Sequence, residues 1–505
     1  MTRTSKAKHF TAPGSDTSQG TFRRTLGTWD VVAVGVGAMI GFGWVVLTGT
    51  WITDAGALGA SLAMVVGGIM MAIVALVYSE LVAAMPKAGG EHNYILRAMG
   101  SKWSFIGSWA ITGGYVSVVA FEAVALPRTA LYLFPELNQV KLWSVAGEDV
   151  FLTWALIGSI ASVIITTVNV IGVKVAGTVQ TFVVVFLFAI GALLVAGSFG
   201  GGGPANMEPL FVDGMSGFLA VLVVVPFMFV GFDVIPQTAE EIKLAPRLIG
   251  KLAVVAVIVA TGWYVMTILT TSSGLNAAAL AESDLATADA MTQLFGSDFF
   301  GKILIAAGIA GIITSWNSLQ MGASRLMYSL ARTGMLPPIF AQLHPKFGTP
   351  SNALIFIGAL AAAAPFFGEA MLGWIVDSGS PSIVIGYLLV SISFVLLRKR
   401  EPDMDRPLRI GGRGNGGVVI GVLSILVCAF LVSLYLPFMP ATISPPAWAM
   451  FGLWWLIGVI PFFLTPKVAP GPQAEEQLVA HVHGRAAAKQ RTHASHPAQP
   501  LQETR

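Results

Sequence analysis

Val34-Gly35-Val36-Gly37-Ala38-Met39-Ile40-Gly41-Phe42-Gly43-Trp44 is the stretch on which the fold turns. It lies inside an apolar run, roughly residues 29–52, that is long enough to cross about 30 Å of hydrocarbon as a helix. Yet four of nine consecutive residues, Gly35 to Gly43, are glycine, and each costs about 1 kcal/mol of helix propensity relative to alanine. Two readings compete. Small residues four apart, Gly37 and Gly41, are a common packing surface between membrane helices. Alternatively the helix is interrupted near Ile40–Gly43. A dinucleotide-binding loop is excluded, because Ile40 stands where the third glycine of G-x-G-x-x-G belongs and no strand precedes it.

A second stretch favours interruption. Pro226-Phe227-Met228-Phe229-Val230-Gly231-Phe232-Asp233-Val234-Ile235-Pro236 places two prolines, a glycine and a carboxylate within one apolar run, and a continuous membrane helix tolerates none of these well. Interrupted spans at positions one and six are the spacing expected of two five-span repeats of opposite topology. In such carriers the broken helices meet at mid-depth and line a site with unpaired main-chain groups. A half-helix starting near Ile40–Gly43 aims free N–H groups at an anion, and freed carbonyls near Phe229–Gly231 accept hydrogen bonds from an ammonium group. The expected substrate-binding residues are therefore Ala38, Met39, Ile40, Gly41, Phe42, Gly43 and Trp44 in the first break, with Phe229, Val230, Gly231, Phe232 and Asp233 in the second.

The rest of the chain fits a lipid environment. Of 505 residues, 55% are hydrophobic and 11% charged, against roughly 25% charged in a soluble domain. Mean hydropathy is +0.75. A single cysteine excludes a disulfide framework, and a net charge of +3 argues against nucleic acid. Apolar runs fall near 29–52, 58–84, 104–133, 151–171, 176–198, 215–239, 248–273, 300–331, 351–367, 371–397, 417–438 and 446–465. The expected fold is an all-α integral membrane protein of about twelve helices, with repeats over about 28–198 and 215–398 and two extra helices over about 417–466. With both ends on one side, the opposite loops hold only Arg128, Lys141 and Lys302 of the 29 lysines and arginines, whereas Glu282, Asp284, Asp289 and Asp298 gather there. That asymmetry puts both termini in the cytosol, and the expected location is the plasma (inner) membrane. Residues 1–27 carry basic residues and no apolar core of a signal peptide, so they read as a cytosolic tail. Residues 467–505 read as a disordered cytosolic tail.

At these residues the sequence resembles the amino acid–polyamine–organocation permeases, which share the LeuT-like fold. Gly37-Ala38-Met39-Ile40-Gly41-Phe42-Gly43 is similar to the first-helix motif G-x-x-I-G-x-G. Tyr78-Ser79-Glu80-Leu81 with Pro86-Lys87-Ala88-Gly89-Gly90-Glu91-His92-Asn93-Tyr94 resembles the second helix and its inner loop, and Phe229–Asp233 with Ala239-Glu240-Glu241 resembles the sixth helix. Ser324-Arg325 and Ala331-Arg332-Thr333-Gly334-Met335-Leu336-Pro337 resemble the end of the eighth. The resemblance runs from about Thr25 to Pro466 and implies alternating-access transport of an amino acid or small organic amine, driven by protons, exchange or sodium. Departures stand beside it. Trp44 replaces a small aliphatic residue and is expected to narrow the pocket. Asn169, Gly172, Lys174 and Gln180 follow the fifth-helix pattern, but Leu187 occupies the position of a frequent lysine whose ammonium replaces sodium. Ser315 keeps one hydroxyl of the eighth helix and Leu319 lacks another.

Charged residues inside the spans need a role, because a buried carboxylate costs a few kcal/mol unless it is paired, protonated or wet. Glu122, mid-way along the third span, is a candidate proton carrier or amine-binding group; its alternative is an ion pair with Arg128. Asp233 is a candidate amine ligand or a cap for the second half-helix. Glu122, Asp233 and Ser315 are thus the coupling candidates. Glu80, Glu240, Arg325 and Arg332, near inner span ends, are candidates for a cytosolic gate. Cys428 reads as inert, and His481, His483, His493 and His496 lack a scaffold for metal. No cofactor, metal or nucleic acid is expected; the partners are a small-molecule substrate and the bilayer. Short loops without a nucleophile–base pair exclude an enzyme. The expected function is a secondary active amino acid transporter, with an ethanolamine- or putrescine-like amine permease as the alternative and a non-transporting nutrient receptor behind both.

Overall fold

In the computed structural model, which describes residues 22, 24–439 and 442–494, the chain is a bundle of long helices. The first span comprises α1 (Thr28–Ile40), α2 (Gly43–Val46) and the start of α3 (Thr48–Ala84), which bends at Gly56 into the second span. A Cβ at Gly56 would lie 2.5 Å from the Leu210 carbonyl oxygen, and its φ of +78° needs glycine. Then come α4 (Glu91–Met99), α5 (Ser101–Leu133), a hairpin of β1 (Lys141–Val145) and β2 (Glu148–Phe151), α6 (Leu152–Ile171) and α7 (Val173–Gly201). The second break separates α8 (Gly214–Leu222) and α9 (Val225–Phe229) from α10 (Val234–Gln237). The chain continues through α11 (Pro246–Gly274), α12 (Ala277–Ala281), α13 (Ala286–Phe295), α14 (Asp298–Arg332), α15 (Ser351–Ala363), α16 (Met371–Arg400), α17 (Gly416–Leu434), α18 (Pro445–Leu464) and α19 (Ala474–Ala494).

Eleven helices among the described residues are long and apolar enough to cross a membrane, and the expected ninth span is the shorter apolar helix Ser351–Phe367. The packing is paired. α1 lies against α9 and α10, α3 against α11, α5 against α14 and α6 against α15, so each of the first four spans meets the one five places later. Basic residues Arg398, Lys399 and Arg400 mark one end of the bundle, here called the basic end. The loops carrying Asp284, Glu148 and Glu369 mark the other, the acidic end.

The chain beyond α18 departs from the expected disordered tail. Val468 exchanges hydrogen bonds with Ser101 (3.1 and 2.9 Å), and α19 then docks on α4 at the basic end. Ala474 and Leu478 are buried, and Val482 packs over Gly334. Their i, i+4, i+8 spacing gives one apolar stripe on an otherwise polar helix, too narrow to show in composition. Lys87 and Glu475 form an ion pair across this contact. Burial works against the Glu475 charge, but the Lys87 ammonium outweighs it and holds the carboxyl below its usual range. Removing the Leu478 side chain costs about 1.5–3 kcal/mol of burial, so Leu478→Ser should speed limited proteolysis within α19 by roughly 10- to 100-fold; a wild-type rate would refute the docked helix. The expected N-terminal tail lies largely (residues 1–21 and 23) outside the described residues, as do residues 495–505 of the C-terminal tail.

Candidate functional site

At the first break, Gly41 has φ +44° and ends α1. Three neighbours crowd it. A Cβ there would sit 2.8 Å from Glu122 Oε1 and 3.2 Å from Ser315 Oγ, while a Cβ on Gly311 of α14 would sit 2.1 Å from the Gly41 carbonyl oxygen. The glycines thus serve both expected purposes: Gly41 bends the chain, whereas Gly37 and Gly43 admit Gln180 and Met228, whose Nε2 and Cε lie 2.4 and 2.2 Å from the absent Cβ positions. Glu122 faces the Phe42 amide and the Ser315 hydroxyl, and its Oε2 has no partner. A carboxyl group therefore already stands beside the free amides of the first break. Arg128 does not pair with it. It pairs with Glu369 at 2.9 Å, because almost two turns carry Arg128 to the acidic end.

Trp44 does not narrow a pocket. Its indole is fully buried, edge-on to Trp263 at 5.2 Å, and its Nε1 donates to the Gly41 carbonyl at 3.1 Å. It caps a carbonyl that the break would otherwise orphan. Tyr264, a lone phenol in apolar α11, does the same for both breaks by donating to the Met39 and Met228 carbonyls. Sequence reasoning missed it, although a single tyrosine deep in an apolar span is itself a signal of a polar neighbour.

At the second break Val230 is extended (ψ 129°) and Gly231 takes φ +138°. A Cβ on Gly231 would lie 2.5 Å from Ala38 Cβ, so the two interruptions touch. Asp233 Oδ1 accepts the Gly231 N–H at 2.7 Å, and Oδ2 is unpartnered. The carboxylate thus holds an amide of the break itself, makes no capping hydrogen bond to α10, and keeps one oxygen to spare. Among the described residues the carbonyls of Phe229 and Val230 accept no main-chain hydrogen bond. Gln180 braces the region from α7. Its Nε2 donates toward the Ala33 and Thr314 carbonyls and Ser318 Oγ at 2.9–3.2 Å, while Leu187 is buried among apolar neighbours.

From the acidic end a vestibule of about 700 Å³ descends between Trp51, Phe121, Val224 and Val376. Phe121, on the vestibule wall, meets Phe227 edge-on at 5.5 Å, and Phe227 belongs to α9, which runs into the second break. The basic end is shut. Arg325 pairs with Glu241 at 2.8 Å, both buried, and the Glu241 carbonyl also accepts the Thr25 and Leu26 amides. The expected gate is thus redrawn. Glu240 has no ion pair among the described residues and lines a small cleft with Arg332 and His92. Glu80 pairs with Arg398 and Arg406 and accepts the Ile410 N–H at 2.8 Å, tying α3 to α16. Burial pushes His92 down to about 4, so its imidazole is neutral, facing Ser104.

Two broken helices in contact at mid-depth, beneath a vestibule open at one end and a closed ion pair at the other, define a membrane carrier. The sequence agrees. Residues 26–462 match the model of the family described as amino acid permease, and the chain belongs to that family; it is an amino acid permease and not an enzyme. Relatives include the branched-chain amino acid permease BcaP of Bacillus subtilis (27% identical over 88% of this chain and 93% of the relative). The methylthioribose transporter of the same organism is 26% identical over 87% and 93%, and its aspartate-proton symporter 25% identical over 82% and 80%.

Proposed function

We propose that this permease moves a zwitterionic amino acid across the plasma membrane by alternating access, with both termini cytosolic. The observation that carries the reading is the contact between the two interruptions, Gly231 against Ala38. Substrate enters from the vestibule past Phe121 and Phe227. Its carboxylate takes the amides of the Ile40–Trp44 segment, and its ammonium takes the Phe229 and Val230 carbonyls. The helix pairing of spans one to four with six to nine supports two inverted repeats that rock about this site. The basic end faces the cytosol by the positive-inside rule, so the state described is outward-facing.

Glu122 supplies the coupling. Its carboxylate and that of the substrate compete for the same amides, and a proton on Glu122 removes the competitor. Proton coupling also characterises one relative, the aspartate-proton symporter of Bacillus subtilis. Radiolabelled amino acid uptake into proteoliposomes, with pH and sodium gradients imposed separately, tests this. Wild-type uptake should change by up to about tenfold per pH unit across the titration of one controlling group, and Glu122→Gln should flatten that profile. An unaltered profile in the variant removes Glu122 from the coupling step. Competition by neutral α-amino acids supports the zwitterion reading; competition by amines alone supports the amine permease.

A further inference from the structure

Below the second break, toward the basic end, lies a cluster in which Asp233 meets groups that the transport reading leaves unused. Glu91 opens α4, packed directly on α10: a Cβ on Gly90 would lie 3.1 Å from Pro236 Cβ and 3.4 Å from Gln237 Nε2. Glu91 is fully buried and neither carboxyl oxygen has a partner. Asp233 approaches the same cluster from the break: the neighbouring Phe232 ring lies 5.4 Å from both Tyr78 and Tyr387, Tyr78 lies 6.5 Å from Tyr94 of α4, and Oδ2 is free. The Tyr78 hydroxyl faces Glu91, and the Tyr115 and Tyr387 hydroxyls face Asp233. The Tyr94 hydroxyl and both polar atoms of Gln237 lack hydrogen-bond partners, and the three phenols approach the carboxylates without completing hydrogen bonds of full geometry. No lysine, arginine or histidine forms an ion pair with either carboxylate among the described residues.

Unpaired, fully buried polar atoms call for a guest, and two carboxylates call for a positive one. The guest must be compact. Tyr78 packs edge-on against Tyr387 (5.7 Å) and Phe232 (5.4 Å), so aromatic rings wall the cluster closely. We propose that Glu91 and Asp233, with the hydroxyls of Tyr78, Tyr115 and Tyr387, form a site for one compact monovalent cation, either a proton or a sodium-class alkali ion. A proton adds to one carboxylate oxygen and leaves to water when the basic end opens. An alkali ion is ligated by carboxylate and phenol oxygens instead. Asp233 belongs to both this site and the break, because its other oxygen holds the Gly231 amide. Occupancy therefore bears on the geometry of the substrate's ammonium site. The site's role in coupling rests on the permease reading, but its occupancy can be measured without transport.

Thermal unfolding of the full-length detergent-solubilised protein, in sodium chloride against choline chloride and in acidic against alkaline buffer, reads occupancy directly. A bound cation raises Tm, and a rise of roughly 2 °C or more is expected in the wild type. If the rise follows sodium, the guest is an alkali ion; if it follows acid in choline, the guest is a proton. In either case Glu91→Gln and Asp233→Asn should abolish the rise, while Glu91→Asp should retain part of it and so separates lost binding from a misfolded variant. A wild-type Tm indifferent to both, or a response that survives in Glu91→Gln and in Asp233→Asn, overturns the site. Loss of uptake with the cation response intact would instead count against the permease mechanism and leave the site standing.

Discussion

Gly41→Leu should reduce uptake to background while the protein stays folded in the membrane. At φ +44° an L-residue carries roughly 1–2 kcal/mol of strain. The new side chain also starts 2.8 Å from Glu122 Oε1 and 3.2 Å from Ser315 Cβ, and forced overpacking of this kind adds about 1–3 kcal/mol. Together these oppose the substrate-competent geometry by a factor of roughly 100 or more, at about 1.4 kcal/mol per tenfold. Gly231→Leu should behave alike, since its Cβ would start 2.5 Å from Ala38 Cβ at φ +138°. The check is radiolabelled uptake normalised to the amount of monodisperse protein recovered from the membrane. Uptake within a few-fold of wild type in both variants would refute a site at the helix interruptions.

Breaking the Arg325–Glu241 pair should open the basic end. Both side chains are buried, and Arg325 also donates to Ser324 Oγ at 2.9 Å. Removing one partner of such a pair leaves an uncompensated buried charge at a cost of about 3–5 kcal/mol. Opening to water relieves that cost, so Arg325→Ala should shift the closed–open equilibrium by roughly 100- to 4,000-fold, at about 1.4 kcal/mol per tenfold. A cysteine at Ser324, in a Cys428→Ser background, reports the change: thiol labelling from the basic side should rise sharply in Arg325→Ala. The exchanged pair Arg325→Glu with Glu241→Arg should restore part of the protection. Unchanged labelling in Arg325→Ala would show that closure does not depend on this pair.

Much of the architecture was legible because lipid leaves the chain few choices. Apolar runs of sufficient length must be helices, and glycines or prolines inside them must break or pack. Gly41 and Gly231 proved to be the left-handed residues at the two interruptions. The side chains around the breaks were less legible. Trp44 reads as an obstruction in sequence but is a carbonyl cap in the fold. Glu240 and Glu241 are adjacent, and only one can turn toward Arg325. The choice falls in a 3-10 turn, Ala239–Glu241, after an interrupted helix, where helical phase from the preceding span is lost.

The sequence by itself determined the membrane class, the spans, the two interruptions and the family, because hydrophobic run length and backbone breakers act locally. Tertiary structure alone decided which groups meet at those interruptions. Glu122 stands beside the Phe42 amide, Tyr264 closes carbonyls from both breaks, α4 with Glu91 packs on α10, and the Ala474–Leu478–Val482 stripe docks the final helix. Each of these contacts joins residues far apart in the chain. Each depends on the rotation of one helix about its axis relative to another, which packing sets and local sequence does not.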